Sequence, residues 1–447
     1  MEWILSILST IGIFVLALLI LVFFHELGHF LAAKLFKMRV ERFSLGFPPR
    51  IAGVKIGETD YCISATPLGG YVKISGMIDE SMDTEYLEQE PQPWEFRSKP
   101  VWQRIIVISA GVIFNMILAV IIFAGIAFTY GEQIVPPQSV KGIYVQPHSV
   151  AAQVGFKSGD HLVAVNGQHV SDFSEFFTMN RLMSDNLVYT VERNGEKVKI
   201  PVNDKYLDKI NKEGFISLQD ALPNKISGVV SGSPADKAGL KDGDEIVSIN
   251  GNTVHYWMQL VNQIEESDGE LSLTVNRDGT QKDLTLTPNP KTGKIGVYPV
   301  NPVDYFDIQY RTHGLFTSVG EGVVKTKDTL TGIIQGFSKM FSGSISVREN
   351  LGGPVAIASI TKQVTDRAGI LGFWQITALL SVTLAIMNIL PIPVLDGGHL
   401  MFLIYEGITR KEPSARVRMI LQQIGFILLI GLFIFVTFND ILRQFGN

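Results

Sequence analysis

Four long apolar runs divide this chain, separated by stretches whose polarity alternates on a shorter period. The first runs from Ile4 to Leu35 and, as far as Phe24, is broken only by Ser6, Ser9, Thr10 and Gly12. The second runs from Val101 to Tyr130, with Arg104 near its start and Asn115 inside. The third spans Phe373 to Leu390, and the fourth spans Ile424 to Phe438 with room to extend over Leu421 and Ile441. A helix needs about 20 apolar residues to cross the hydrocarbon of a bilayer, so the pattern predicts four transmembrane helices. The first does not read as a signal peptide. It begins with Glu2 and no basic residue, and no small-x-small cleavage site precedes His25 and His29.

Basic residues near the helix ends set an expected orientation. Lys34, Lys37, Arg39 and Arg42 follow the first run, and Arg97, Lys99 and Arg104 introduce the second. Arg410, Lys411, Arg416 and Arg418 separate the third from the fourth. The other side carries Arg443 alone near the last helix. Lys and Arg collect on the cytoplasmic side, so both termini and the 131–370 region are expected to be extracytoplasmic. The C-terminal end of the first helix is then expected near the cytoplasmic face.

Between the first two helices, Val40 to Phe47 and Lys55 to Ile74 read as strands punctuated by Gly and Pro. Residues 79–95 are rich in acid (Asp79, Glu80, Asp83, Glu85, Glu88, Glu90, Glu95) and read as a solvated loop. Phe316, Val319, Val323, Leu330, Ile334, Phe337 and Phe341 fall near helical spacing. They predict an amphipathic helix that either lies on the membrane or packs against the domains before it, packing being the preferred reading.

The region after the second helix repeats itself. Gly155, Gly159-Asp160, Asn166-Gly167, Val170, Arg193 and Gly195 recur 84 positions later as Gly239, Gly243-Asp244, Asn250-Gly251, Val254, Arg277 and Gly279. An ungapped offset of this kind indicates two copies of one domain. Each copy reads as a small-residue helix, a Gly-Asp turn, a strand closed by Asn-Gly, and a later helix and hairpin. The run from Ser231 to Val254 resembles the second half of a PDZ domain of the circularly permuted bacterial type. That resemblance implies an extended-peptide groove beside a helix. Peptide capture, a size filter and a plain spacer all remain open for it.

Composition narrows the class. The chain has 447 residues, 46% of them hydrophobic, with a mean hydropathy of +0.23. The 18% charged fraction still leaves room for a sizeable soluble part. A net charge of −5 argues against a nucleic-acid partner. Cys62 is the only cysteine, which excludes an intrachain disulfide and a cysteine-rich metal site.

The candidate chemistry sits where the first apolar run ends, at His25-Glu26-Leu27-Gly28-His29. A helix puts residues four apart on one face, so His25 and His29 can offer ring nitrogens to one ion. Glu26 beside them can take a proton from an attacking water. Ionisable groups in such a segment are costly and mark function by default. A catalytic zinc takes three protein ligands, so one is missing. Asp396 is the only carboxylate between Asp366 and Glu406, and it follows an apolar helix broken by Pro391 and Pro393. Freed backbone groups at such a break are tolerated only against protein or a water cavity. Asp396 is therefore the candidate third ligand. His399 allows either a supporting role or a surface position. The other histidines (His148, His161, His169, His255, His313) show no ligand spacing and read as structural.

HExxH in the first helix and Asn388-x-x-Pro-x-Pro-x-Leu-Asp-Gly after the third together resemble the site-2 protease family of intramembrane zinc metalloproteases. The order of the parts resembles the bacterial branch with two tandem PDZ domains between helices 2 and 3. One departure is Gly352-Gly353-Pro354, where that branch often has Ser-Gly-Pro. The resemblance implies Zn2+ held by His25, His29 and Asp396, with Glu26 as general base and Asn388 holding substrate. Thr66-Pro67-Leu68-Gly69-Gly70-Tyr71 resembles the family's membrane-associated β-hairpin, which implies substrate contact at Gly69, Gly70 and Tyr71. It also implies a bacterial inner (plasma) membrane and a single-span substrate of the anti-sigma-factor type, cut after a first extracytoplasmic cleavage. Remnant signal peptides are a second substrate class.

The expected fold is thus a multi-pass α-helical membrane protein with four transmembrane helices, a membrane-associated β-hairpin or sheet, and two tandem extracytoplasmic PDZ domains of α+β type. The expected segments are 1–36, 37–100, 101–130, 131–221, 222–305, 306–370, 371–405 and 406–447. The expected partners are the lipid bilayer, a transmembrane protein substrate and peptide ligands of the PDZ grooves. Two rival readings stand at this point. A surface-acting membrane zinc protease would draw its third ligand from a soluble helix. A non-catalytic scaffold would only present PDZ grooves.

Overall fold

The computed structural model describes residues 2–77, 90–267 and 269–445. The chain divides into two compact units. One comprises Met1–Tyr130, His313–Ile333 and Val347–Asn447; the other comprises Gly131–Thr312 and Ile334–Ser346.

The first unit holds the long helices. Helix α1 spans Glu2–Leu35 and α2 spans Val101–Tyr130. A third long helix spans Pro354–Ile389 and a fourth spans Ala415–Phe445. All four contain windows long and apolar enough to cross a membrane. Their outward side chains include Leu8, Ile121 and Ile427, all exposed. Lipid tails are as apolar as leucine, so such helices pack through small residues that let backbones approach. Gly28 in α1 does this against α2, where a Cβ would lie 2.4 Å from the Ala110 carbonyl oxygen. Gly425 in the fourth helix does it against Pro393.

The third helix departs from expectation at both ends. Helical structure begins at Pro354 rather than Phe373, with a break at Gly369 (φ 59°, ψ −142°). The sequence suggested a linker there because the cap is remote. Asp440 of the fourth helix accepts from the Gly353 amide (3.1 Å) and the Ala356 amide (2.9 Å). At the other end the helix stops at Ile389, and a new helix of 14 residues starts at Asp396. Asp396 therefore opens a helix and does not lie in a loop. Gly397 and Gly398 permit this, since a Cβ at either would strike the carbonyls of Leu390 and Ile392.

Strands β1 (Val40–Ile56) and β2 (Thr59–Ile74) are antiparallel and pair twice. Arg42 faces both Lys73 and Asp60, so 40–45 lies between 70–74 and 60–63. Segment 70–74 is consequently an edge strand. Of the acidic stretch, Asp79, Glu80, Asp83, Glu85 and Glu88 lie outside the described residues. Glu95 is buried and bonds Arg97 Nε at 2.5 Å.

The second unit carries the repeat as matching bonds. Arg193 Nε donates to Asp160 (2.7 Å) and Arg193 Nη2 to the Gly155 carbonyl (2.9 Å). Arg277 does the same with Asp244 (2.6 Å) and Gly239 (2.7 Å). Asn166 and Asn250 both sit at positive φ before a glycine also at positive φ, as a two-residue hairpin turn of type I′ requires. Each asparagine accepts from a backbone amide on the neighbouring strand, Val188 or Ser272, at 2.9 Å. Strands His161–Val165, Val188–Arg193 and Glu196–Pro201 form one antiparallel sheet. Glu245–Ile249, Leu271–Arg277 and Thr280–Leu286 form its counterpart, extended by Asn252–Thr253. One apolar core runs through both copies, from Val135 to Ile345.

The helix at Leu315–Phe341 corrects the packing expected of its apolar stripe. Phe316 and Phe341 are 89% and 87% exposed, and Val319, Val323 and Ile334 are exposed as well. The buried positions are Ser318, Gly322, Thr326, Gly332, Gly336 and Lys339. Close backbone crossing explains this: a Cβ on Gly322 would lie 2.5 Å from the Val120 carbonyl oxygen of α2.

Candidate metal centre

Helix α1 places His25 and His29 one turn apart, both buried with Glu26 between them. Their Nε2 atoms lie 3.3 Å apart. Asp396 arrives at the same point because the third helix stops at Ile389 and, after the break at Pro391–Pro393, a new helix starts at Asp396. Its Oδ2 lies 3.1 Å from His25 Nε2 and 3.4 Å from His29 Nε2. That oxygen is buried and makes no well-aligned hydrogen bond. An orphaned carboxylate oxygen in apolar surroundings is expensive unless it has another partner. Zinc bonds of about 2.0–2.1 Å at tetrahedral angles put ligand atoms about 3.3 Å apart. The trio therefore fits a tetrahedral ion, with one position left open.

Helix α2 backs both imidazoles. His29 Nδ1 donates to the Val107 carbonyl at 2.8 Å. One turn on, Gly111 faces the pair, and a Cβ there would lie 2.4 Å from His29 Nε2 and 2.6 Å from His25 Cε1. One turn further, Asn115 lies 3.3 Å from His25 Nδ1. Asn388, from the end of the third helix, brings its Nδ2 within 3.1 Å of His25 Nε2.

Glu26 meets the edge strand. A Cβ on Gly70 would lie 3.1 Å from Glu26 Cγ and 2.8 Å from the Ser44 carbonyl oxygen. Gly69 is held to glycine by the Phe47 ring, 2.4 Å from its Cβ position. The Tyr71 hydroxyl accepts from Arg42 at 3.0 Å. A cavity of about 70 Å³ joins His25, Glu26, His29 and Asp396 to Tyr71 and His399. That volume holds a few waters at most, not a peptide. His399 and Met77 also line an adjoining cavity of about 240 Å³, with Arg104, Glu406 and Arg418. His399 thus belongs to the cavity wall, near Gln422. His161 and His169 bond backbone carbonyls in the second unit.

The sequence reading overlooked Gly111 and the Arg104–Glu406 ion pair. A glycine in an apolar helix has no distinguishing mark, and the ion pair joins distant segments. Asn115 did leave a signal, as a lone amide in the second apolar run.

Membrane-length helices around a His-His-Asp trio with an adjacent glutamate define a class, the intramembrane zinc metalloendopeptidases. Residues 13–432 match Peptidase family M50, and the chain belongs to that family, the site-2 proteases. A Haemophilus influenzae protein named "Regulator of sigma E protease" is 34% identical over 98% of this chain and 100% of its own length. "Protease RseP" of Yersinia pestis is 34% identical over 98% of this chain and 99% of its own. A Neisseria meningitidis protein named "Putative zinc metalloprotease" is 32% identical, covering 98% and 100%. The protein is a zinc metalloendopeptidase whose substrates are membrane proteins and whose medium is the lipid bilayer.

Proposed function

We propose that His25, His29 and Asp396 hold the zinc and that Glu26 is the general base. The observation that carries this is the meeting of His25 Nε2, His29 Nε2 and Asp396 Oδ2 within 3.4 Å of one another. When bound, zinc supplies Lewis-acid polarisation of the scissile carbonyl and makes water acidic enough to attack near neutral pH. Glu26 takes the proton of the attacking water and hands it to the leaving amide nitrogen. Asn388 donates its amide to a substrate carbonyl beside the trio. A helical substrate must unwind before its carbonyl can reach this point. Edge strand 70–74, with Gly69, Gly70 and Tyr71, receives the unwound segment by strand addition. The small cavity requires that this strand or its neighbours shift as substrate enters.

In this reading the two repeats are tandem PDZ domains, 131–221 and 222–305, facing outside the inner membrane of a bacterium, with both termini on that side. Their matching Asp–Arg and Asn–Gly bonds support duplication of one fold. They restrict access to single-span proteins already shortened outside. The names of the relatives favour an anti-sigma-factor substrate over remnant signal peptides. The test is elemental analysis of purified wild type, Asp396→Ala and Glu26→Gln, with a cleavage assay on a membrane-span reporter. Asp396→Ala should lose zinc, while Glu26→Gln should keep zinc and lose cleavage. Full zinc in Asp396→Ala, or turnover by Glu26→Gln, would refute the assignment.

A further inference from the structure

Asn115 is fully buried in the middle of α2, where a side-chain amide is costly unless both its ends are bonded. Its Oδ1 has no partner, and its Nδ2 faces His25 Nδ1 at 3.3 Å. The other ring nitrogen of His25 points at His29 and Asp396. A neutral imidazole that offers Nε2 to a metal carries its proton on Nδ1. In this amide orientation an N–H donor faces an N–H donor while a buried acceptor goes unused. Amide oxygen and nitrogen differ little in shape, and their assignment follows from the hydrogen-bond network. Turning the amide by half a revolution removes both faults at once: Oδ1 takes the place of Nδ2 and accepts from His25 Nδ1–H.

We infer that Asn115 is a positioning residue for the zinc site, its side-chain oxygen fixing the tautomer and ring plane of His25. Two independent contacts support it. The second histidine is held in the same manner from the same helix, with Val107 two turns away supplying a backbone carbonyl to His29 Nδ1. The backbone carbonyl of Asn115 is itself pinned by Ser381 Oγ at 2.7 Å, which sets the height of the residue against the third helix. Helix α2 thus gives no ligand yet orients two of them.

The inference rests on His25 being a zinc ligand, so the experiment separates the two. The readout is the rate at which the folded, detergent-purified full-length protein loses zinc to a chelator, together with equilibrium zinc affinity. Removing such a supporting acceptor costs about 10–100-fold in metal affinity. Asn115→Leu should show that loss. Asn115→Asp keeps an acceptor at the same reach and should hold zinc within a few-fold of wild type. Ser381→Ala disturbs the same helix contact without touching the acceptor and should also retain zinc. Wild-type zinc retention in Asn115→Leu, or equal losses in Asn115→Leu and Asn115→Asp, would overturn the inference and leave the ligand set standing. A loss in Ser381→Ala matching that of Asn115→Leu would assign the effect to packing and overturn it too. Full zinc in His25→Ala would sink the ligand set and the inference together.

Discussion

Asp244 is a buried carboxylate and Asp396 a half-buried one with an enclosed Oδ2; they face nitrogen donors, one in each unit, and are treated in opposite ways. Asp244 is enclosed by Arg277 and by the Lys241 amide, both at hydrogen-bond distance. Asp396 Oδ2 lies close to two imidazoles without a well-aligned bond to either. The repeated unit spends its buried charge on holding a turn, and does so twice with the same geometry. The helical unit leaves Asp396 and Asn115 unsatisfied around a single point. Completed polar networks rigidify a fold, while incomplete ones in a native structure call for an explanation such as an ion. Here the incomplete one coincides with an HExxH helix.

That comparison predicts that changes in one unit move zinc chemistry and changes in the other move folding, with little crossover. The largest effect should come from Glu26→Gln, a fall in cleavage of about 10²–10⁴-fold with zinc content unchanged. Single-turnover cleavage of a membrane-span reporter checks it. Next, Gly111→Ala should force the two imidazoles apart, since its Cβ would lie 2.4 Å from His29 Nε2. Zinc affinity should fall about tenfold or more, with the helices intact by circular dichroism. An unchanged affinity would show that α2 does not back the site.

In the repeated unit, Arg277→Ala leaves a buried carboxylate uncompensated. Breaking such pairs costs about 3–5 kcal/mol, and the 18% exposure of Arg277 places this one near the lower end. Hydrogen exchange should rise across residues 226–286 while zinc content holds. Zinc loss in this variant would break the separation between units. The smallest effect is on pH. Burial pushes the Asp244 carboxyl up, but the bonds from Arg277 and the Lys241 amide outweigh it and hold it below the usual range. A depressed folded value means the contribution is full above the unfolded carboxyl value of about 3.9. It fades as pH falls through the folded value beneath that. Exchange protection in this unit should therefore stay flat down to about pH 4 and drop below it. Arg277→Ala should abolish that acid-side drop.

Much of this molecule was legible in one dimension because its strongest signals are local. Apolar runs of membrane length, an i, i+4 pair of histidines and paired Asn-Gly turns follow from backbone geometry over a few residues. The 84-residue repeat was legible as identity and reappears as matching hydrogen bonds. The stripe on Leu315–Phe341 misled for a physical reason. The packed face is chosen by the small size of Ser318, Gly322 and Thr326, and a Cβ on Gly322 would already meet the Val120 carbonyl oxygen.

The sequence by itself determined the four apolar runs, the chemistry available at His25, Glu26 and His29, and a candidate for the missing carboxylate. Only the tertiary structure decided that Asp396 starts a helix and meets the histidines, and that Asn115 and Gly111 lie behind them. It also decided that the end of the third helix lies beside His25 through Asn388. The reason is range. Spacing along one helix is set by its 3.6-residue period, whereas convergence of distant segments depends on how closely their backbones can pass. That is governed by glycines whose importance appears only once a neighbour is in place.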